Sequence, residues 1–402
     1  MLENRFLIVT SEFGGEKMAE MLTGINGTII KWAREYYNMT PSDAALAIGV
    51  DVERYYSWED GTEFPTYAKL RKISEVFHKP SALFFFPEPP QLPPIKGDLR
   101  TLPDEVVNGL SKNVILQFEK AKAYQINLRE LYGNKQSILG RRADFPTDIN
   151  ELSDHFRQLM SFPISAQKAR KSAKVVFEIF REKFYELGIY VFKDSFKDNS
   201  VSGLCLNDDR YPIIIINNSM SFARQNFTLF HELYHLLSNT SGAEIIRDDF
   251  YAHLNEQQTQ SEKACDVFAN AFLVPLSDFE EELKKQPLDE DRITELAILY
   301  SVSKEAIMYK LLSLQKISHG DYDRLKETFY GDAIRNLKKT NGDKGGGNYY
   351  LTKLSYLGQR YAGDVFREYF SGRIDSVRAS EMLNSKVDHL PKLESSFYRG
   401  VK

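Results

Sequence analysis

Apolar positions recur every three to four residues through most of this chain, and between about residues 189 and 217 they gather into short continuous runs bounded by turn residues. The first spacing is helical and the second is that of strands. Near the N-terminus "TIIKWAREYY" carries a helical stripe, "PSDAALAIG" starts a second helix with Ser42 or Asp43 as its cap, and "VDVERYYSWEDG" follows a turn at Gly49. That cadence is helix, turn, helix. Longer helical patterns are predicted at about 104–131 and 165–187, followed by three strands in "GIYVFKD", "SGLCLND" and "YPIIIINN". Further helices are predicted at about 221–238 and 259–272, the latter ending before Pro275, and short helices continue to about 316. A last helical region reaches a stop at Gly372. The pattern therefore predicts an α+β fold that is mostly helical, with one small sheet.

Two stretches interrupt it. "FFFPEPPQLPPIKGD" places five prolines between Pro87 and Pro94, which favours an extended, semi-rigid connector. "LKKTNGDKGGGNYY" (337–350) has the composition of a flexible or turn-forming junction. No internal repeat is evident.

Composition narrows the function classes. With 42% hydrophobic and 27% charged residues and a net charge of −4, the 402-residue chain reads as a globular protein with no overall attraction to nucleic acid or anionic membrane. Two cysteines, Cys205 and Cys265, are too few for a disulfide framework and read as buried small hydrophobes. The N-terminus lacks a secretory pattern and no run reaches membrane-spanning length, so the expected setting is the cytoplasm, without membrane contact.

Candidate chemistry centres on "FTLFHELYHLL" (227–237). His231 and His235 are four apart and stand on one helical face, with Glu232 beside the first, which is the opening of a zinc peptidase site. A catalytic zinc centre takes a third protein ligand from another element. Glu262 is the best choice because it opens an amphipathic helix whose Val267, Phe268, Ala271 and Phe272 can pack against Phe227, Phe230 and Leu236. His253 and Glu256 compete from a loop. Asp266, one turn beyond Glu262, can accept a hydrogen bond from the free nitrogen of a ligand histidine. In such a centre the metal acidifies a water and Glu232 takes its proton. The Ile-rich strand before the metal helix reads as core, with a substrate-binding edge as the alternative. Tyr234, Tyr251 and His253 are candidates for stabilising an oxyanion.

Taken together, "IIIINN", "FTLFHELYHLL" and "EKACDVFANAFLVP" resemble the pattern of the ImmA/IrrE (DUF955) metallopeptidases over roughly residues 98–320. The resemblance implies a zincin-like domain with zinc held by His231, His235 and Glu262, and Glu232 as general base. Where that family commonly has Ala-Asn, this chain has Cys265-Asp266. The resemblance also implies a regulatory role, cleavage of a specific regulator or partner protein. A longer-range likeness to family members paired with toxins touches the C-terminal region.

Residues 24–86 resemble the XRE (Cro/repressor-type) helix-turn-helix family through "WEDG" and Pro65-Thr66. Ala47, Val50, Tyr55 and Trp58 would be core, and Val52, Glu53, Arg54, Tyr56 and Ser57 would face a partner. Only Arg54 is a strong base reader, and residues 1–90 hold 9 Lys/Arg against 13 Asp/Glu, which opposes phosphate attraction. The domain is therefore expected to recognise DNA or a protein partner, with the protein favoured.

The expected organisation is an N-terminal arm and helix-turn-helix domain (1–86), a proline-rich linker (87–97), a metallopeptidase domain (98–320) and a C-terminal helical domain (321–402). Tyr349, Tyr350, Tyr356, Tyr361 and Phe366 of the last read as a core stripe. The expected function is that of a cytoplasmic zinc-dependent regulatory endopeptidase acting on a repressor or toxin. Promoter DNA and a homodimer are open as further partners. The alternative is a non-catalytic antitoxin or repressor that binds DNA and a toxin through a peptidase-like fold.

Overall fold

A computed structural model describes residues 22–91, 102–246, 250–340 and 348–400. The N-terminal arm, residues 92–97 of the proline-rich stretch and residues 341–347 of the Gly/Lys/Asn-rich stretch lie outside the described residues. The chain divides into two compact units, residues 1–97 with 104–115, and residues 98–103 with 116–402.

The first unit is built from α1 (Gly27–Tyr36), α2 (Pro41–Ile48), α3 (Val52–Glu59), α4 (Tyr67–Phe77) and the short α5 (Asp104–Asn108). The cap of α2 is Thr40, one position before the proline and not Ser42 or Asp43. Its hydroxyl accepts from the Asp43 amide while the Asp43 carboxylate accepts from the Thr40 amide, closing a reciprocal box. Gly49 ends α2 at φ 77°, the left-handed turn that delivers α3. The buried frame of α2 is Ala44, Ala45 and Ile48, so Ala47 is exposed where it was expected in the core, and Val50 is half-buried. Tyr55 and Trp58 are buried as expected. Gly27 sits against the carbonyls of Trp58 and Glu59, where a Cβ would come within 2.4 Å of each. Across the same contact Arg34 Nε and Nη2 donate to the two carboxylate oxygens of the buried Glu59 at 2.7 and 3.0 Å. A bidentate pair of this kind fixes the angle between α1 and α3.

In the second unit, the part of α6 (Lys112–Tyr132) from Leu116 onward, α7 (Ile149–Leu159), α8 (Ile164–Lys168) and α9 (Ala173–Glu186) precede the strands β1 (Tyr190–Asp194), β2 (Val201–Leu206) and β3 (Ile213–Asn217). Then come α10 (Phe222–Leu237), β4 (Gly242–Ile245), α11 (Glu256–Leu273), α12 (Leu276–Leu283), α13 (Glu290–Tyr300) and α14 (Lys304–Ser313). The chain continues through α15 (His319–Thr340), α16 (Tyr349–Leu357), α17 (Gln359–Phe370), α18 (Ser376–Met382) and α19 (Leu390–Gly400). The division expected at residue 320 falls inside α15, and residues 337–340 are helical rather than a loose junction.

The sheet order is β1-β3-β2-β4, with β1 and β3 parallel and the other pairs antiparallel. β3 is central and buried on both faces, which is why its isoleucines run unbroken. On one face Cys205, Ile214 and Ile216 meet Leu229, Phe230 and Leu233 of α10. On the other, Tyr124 of α6 stacks on Phe192 at 3.8 Å. The substrate-edge alternative for this strand therefore fails on position. β4, which the sequence pattern did not reveal, pairs with β2 and is the last strand of the sheet on that side among the described residues.

Helix α11 lies along α10, and the Phe272 ring stacks on Phe230 with centroids 3.9 Å apart. Phe268 and Phe272 are buried in this contact, whereas Val267, expected there, is half exposed. Of the C-terminal stripe, Tyr361 and Phe366 are buried, but Tyr349 is exposed and Tyr350 and Tyr356 are half-buried. No helix among the described residues is long and apolar enough to cross a membrane.

Candidate metal centre

Ser221 caps α10 by accepting from the Arg224 amide, and the helix then runs for sixteen residues between the sheet and α11. Its apolar positions Leu229, Phe230, Leu233 and Leu236 fill the core, so His231, Glu232 and His235 are carried in a fully packed setting and all three are buried. Asn255 and Gln258 close a capping box that starts α11 three residues earlier than the sequence pattern predicts. Glu256 becomes the first residue of that helix and is exposed, and His253 sits at the end of a short 3-10 turn, also exposed.

Glu262 is the carboxylate that meets both histidines. Its Oε2 lies 3.3 Å from His231 Nε2 and its Oε1 lies 3.5 Å from His235 Nε2. Yet neither Nε2 atom has a hydrogen-bond partner, although both rings are buried. A tetrahedral ion with ligand bonds of about 2.0–2.1 Å separates its ligand atoms by about 3.3–3.4 Å, close to each of these two histidine–Glu262 distances. The same two histidines form a group with Cys265, the ligand atoms of the three all lying within 4.8 Å of one another.

The free nitrogens are also engaged. His231 Nδ1 lies 3.0 Å from Asp266 Oδ1, and His235 Nδ1 lies 3.4 Å from Thr240 Oγ1. Glu244 of β4 is a buried carboxylate 3.9 Å from His231 Nδ1. With His231 and Asp266 it forms a second group of potential metal donors, but Arg224 Nη2 already donates to one of its oxygens at 2.6 Å and the Ser202 hydroxyl donates to the other. Those bonds leave Glu244 poorly placed as a ligand.

Charge follows from this packing. Burial opposes protonation of His231, but Glu244 and the neighbouring Cys265, Asp266 and Glu262 raise its pKa well above the ordinary value. For His235 burial is likewise overcome, chiefly by Cys265 and Glu262. Burial alone would raise the Glu262 pKa; the two imidazoles instead bring it down to about 2. Glu232 goes the other way, because burial pushes its pKa up against the pull of His235 and His231. Its Oε1 accepts the Glu244 amide at 2.9 Å, and its Oε2 has no hydrogen-bond partner.

Two glycines set the spacing. A Cβ on Gly242 would come within 2.9–3.0 Å of the His235 ring, and one on Gly203 would come within 2.5 Å of the Thr228 methyl. Both strands therefore approach α10 more closely than a strand with side chains at these positions can.

A cleft of about 300 Å³ opens beside the centre, reached by His231, Glu244, Glu262 and Asp266 and walled by Tyr309 and Tyr322. Sequence reasoning missed Arg224, Glu244, Tyr309 and Tyr322. An arginine two turns before His231 on the same helix was the available signal for the first; the tyrosines arrive from α14 and α15 and left none. Of the oxyanion candidates, Tyr234 packs against Phe268, His253 is exposed, and the Tyr251 side chain lies outside the described residues. The other expected recognition residues sit on α3, where Glu53, Arg54 and Tyr56 are exposed and Ser57 is half-buried.

No curated protein matches this chain. Among solved structures it is similar to a Mycobacterium tuberculosis transcriptional regulator, with 13% identity and a TM-score of 0.30 over 44% of this chain. The chain covers about half of that structure's length, 49%. Residues 185–312, which run from the end of α9 through the sheet and the histidine and Glu262 helices to α14, match the family model described as IrrE N-terminal-like domain, Peptidase_M78.

Proposed function

We propose that this protein is a zinc-dependent regulatory endopeptidase, with His231, His235 and Glu262 as metal ligands and Glu232 as general base. The observation that carries the reading is the pair of buried histidine Nε2 atoms set 3.3 and 3.5 Å from the two oxygens of one buried carboxylate. The match of residues 185–312 to an IrrE-like peptidase domain supports it. When bound, zinc acts as a Lewis acid that makes a water acidic near neutral pH and polarises a carbonyl. The chain's own groups do the rest. Glu232, held by the Glu244 amide, accepts a proton from water and returns it to the leaving amine. Asp266 accepts the His231 Nδ1 proton and so keeps Nε2 as the donor atom. The outer edge of β4 suits an extended peptide, bound by backbone pairing beside the cleft.

The test is metal analysis of the purified chain followed by incubation with unstructured protein, with and without chelator. About one zinc per chain and chelator-sensitive cleavage are expected; metal-free protein, or cleavage unaffected by chelator, would sink the reading. Asp266→Ala should weaken zinc binding by roughly 10- to 100-fold in a chelator competition, with helical content unchanged. An unaltered affinity would reduce Asp266 to an ordinary helix carboxylate.

The N-terminal unit is proposed to choose a protein partner, the repressor or toxin on which the peptidase acts. On α3, Arg54 is within 3.8 Å of Glu63, which competes for its charge, while Tyr56 and, on α2, Leu46 present apolar surface to solvent. A mobility shift against the promoter at physiological salt should show only weak, micromolar-range binding of the non-specific kind. Nanomolar binding abolished by Arg54→Ala would make the unit a DNA reader.

A further inference from the structure

We propose that Cys265 is a fourth protein donor to this metal, so that the resting centre holds its ion with two imidazoles, one carboxylate and one thiolate. The inference rests on the metal reading above and adds to it a ligand that closes the site.

Glu262 and Cys265 are three residues apart on α11 and project from the same face, so the helix that delivers the carboxylate also delivers the sulfur. Cys265 is completely buried. Its Sγ lies within 4.8 Å of ligand atoms of both His231 and His235. In a tetrahedral centre with Zn–N bonds of about 2.0–2.1 Å and a Zn–S bond of about 2.3 Å, nitrogen and sulfur stand about 3.5 Å apart, which is within that limit. The Nε2 atoms of the two histidines in that group are buried, and neither makes a hydrogen bond of good geometry. The cleft is lined by His231 and Glu262, whereas Cys265 is buried away from its walls.

Closed four-ligand sites are structural, and catalytic ones keep a position for water. With Cys265 as a fourth donor the centre would be of the closed kind, and the sulfur would have to give way before water could bind there. Binding converts the thiol to thiolate, and its proton goes to solvent.

The experiment loads the full-length chain with cobalt and, separately, with zinc. The wild type and Cys205→Ser should show a near-ultraviolet thiolate-to-cobalt charge-transfer band. Cys265→Ser and Cys265→Ala should lose the band while still binding about one cobalt per chain. X-ray absorption of the zinc-loaded wild type should show one sulfur neighbour at about 2.3 Å, a measurement that needs no variant to fold. One ion per chain that is lost in His231→Ala, with no charge-transfer band and only nitrogen and oxygen neighbours, would overturn the proposal and leave the peptidase reading standing. A wild type that binds no ion overturns both.

Discussion

Glu232→Gln should retain about one zinc per chain and lower peptide hydrolysis by a factor of about 10²–10⁴. The substitution is nearly isosteric, and the retained Oε1 can still accept the Glu244 amide, so β4 stays attached to α10. What disappears is basicity at the one carboxyl oxygen of this side chain that has no other bond. Because burial raises the Glu232 pKa, the wild-type rate should climb as pH rises through that pKa, where the carboxylate form becomes populated, and the variant should lack this limb. Hydrolysis at the wild-type rate with the same pH limb would assign the base elsewhere.

Glu262→Ala should cost the centre more metal affinity than the roughly 10- to 100-fold expected of Asp266→Ala, because it removes a donor and not its support. It also removes the carboxylate that balances two imidazoles in a buried space, so the charge of the bound ion is left less well compensated. Elemental analysis after dialysis reads the outcome directly. His253→Ala is the control, since that ring is exposed and distant in role; full zinc in Glu262→Ala together with loss in His253→Ala would reverse the assignment.

The legible parts of this molecule are those whose signal is local. The His231 helix was readable because cap, apolar frame and the paired histidines lie within seventeen consecutive residues, Ser221 to Leu237. The three strands with long apolar runs were readable for the same reason. β4 was not, because "GAEI" is four residues long with a single strongly apolar residue, and its pairing partner β2 lies some forty residues earlier in the chain. Ala47 is off by one position in the helical frame, a slip that a short helix such as α2 permits because several near-equivalent faces fit a few apolar residues, whereas Val267 borders the buried stripe of α11 at Phe268 without entering it. Cys265 reads as a buried hydrophobe, which it is, and one cysteine has no spacing of its own that points to the histidines beside it. Its distance of three from Glu262 was the available clue, and it becomes informative only once Glu262 is placed against both histidines.

Gly203 and Gly242 widen what counts as the sequence signature of this centre. Neither carries a donor atom on a side chain, yet each occupies a place where any side chain collides with α10, one at Thr228 and the other at the His235 ring. In a saturation library selected for a folded, metal-loaded chain, these two positions should tolerate almost nothing, like the ligands themselves. A search pattern built from the histidines and carboxylates alone would admit many chains that carry the right donors on a helix their sheet cannot reach.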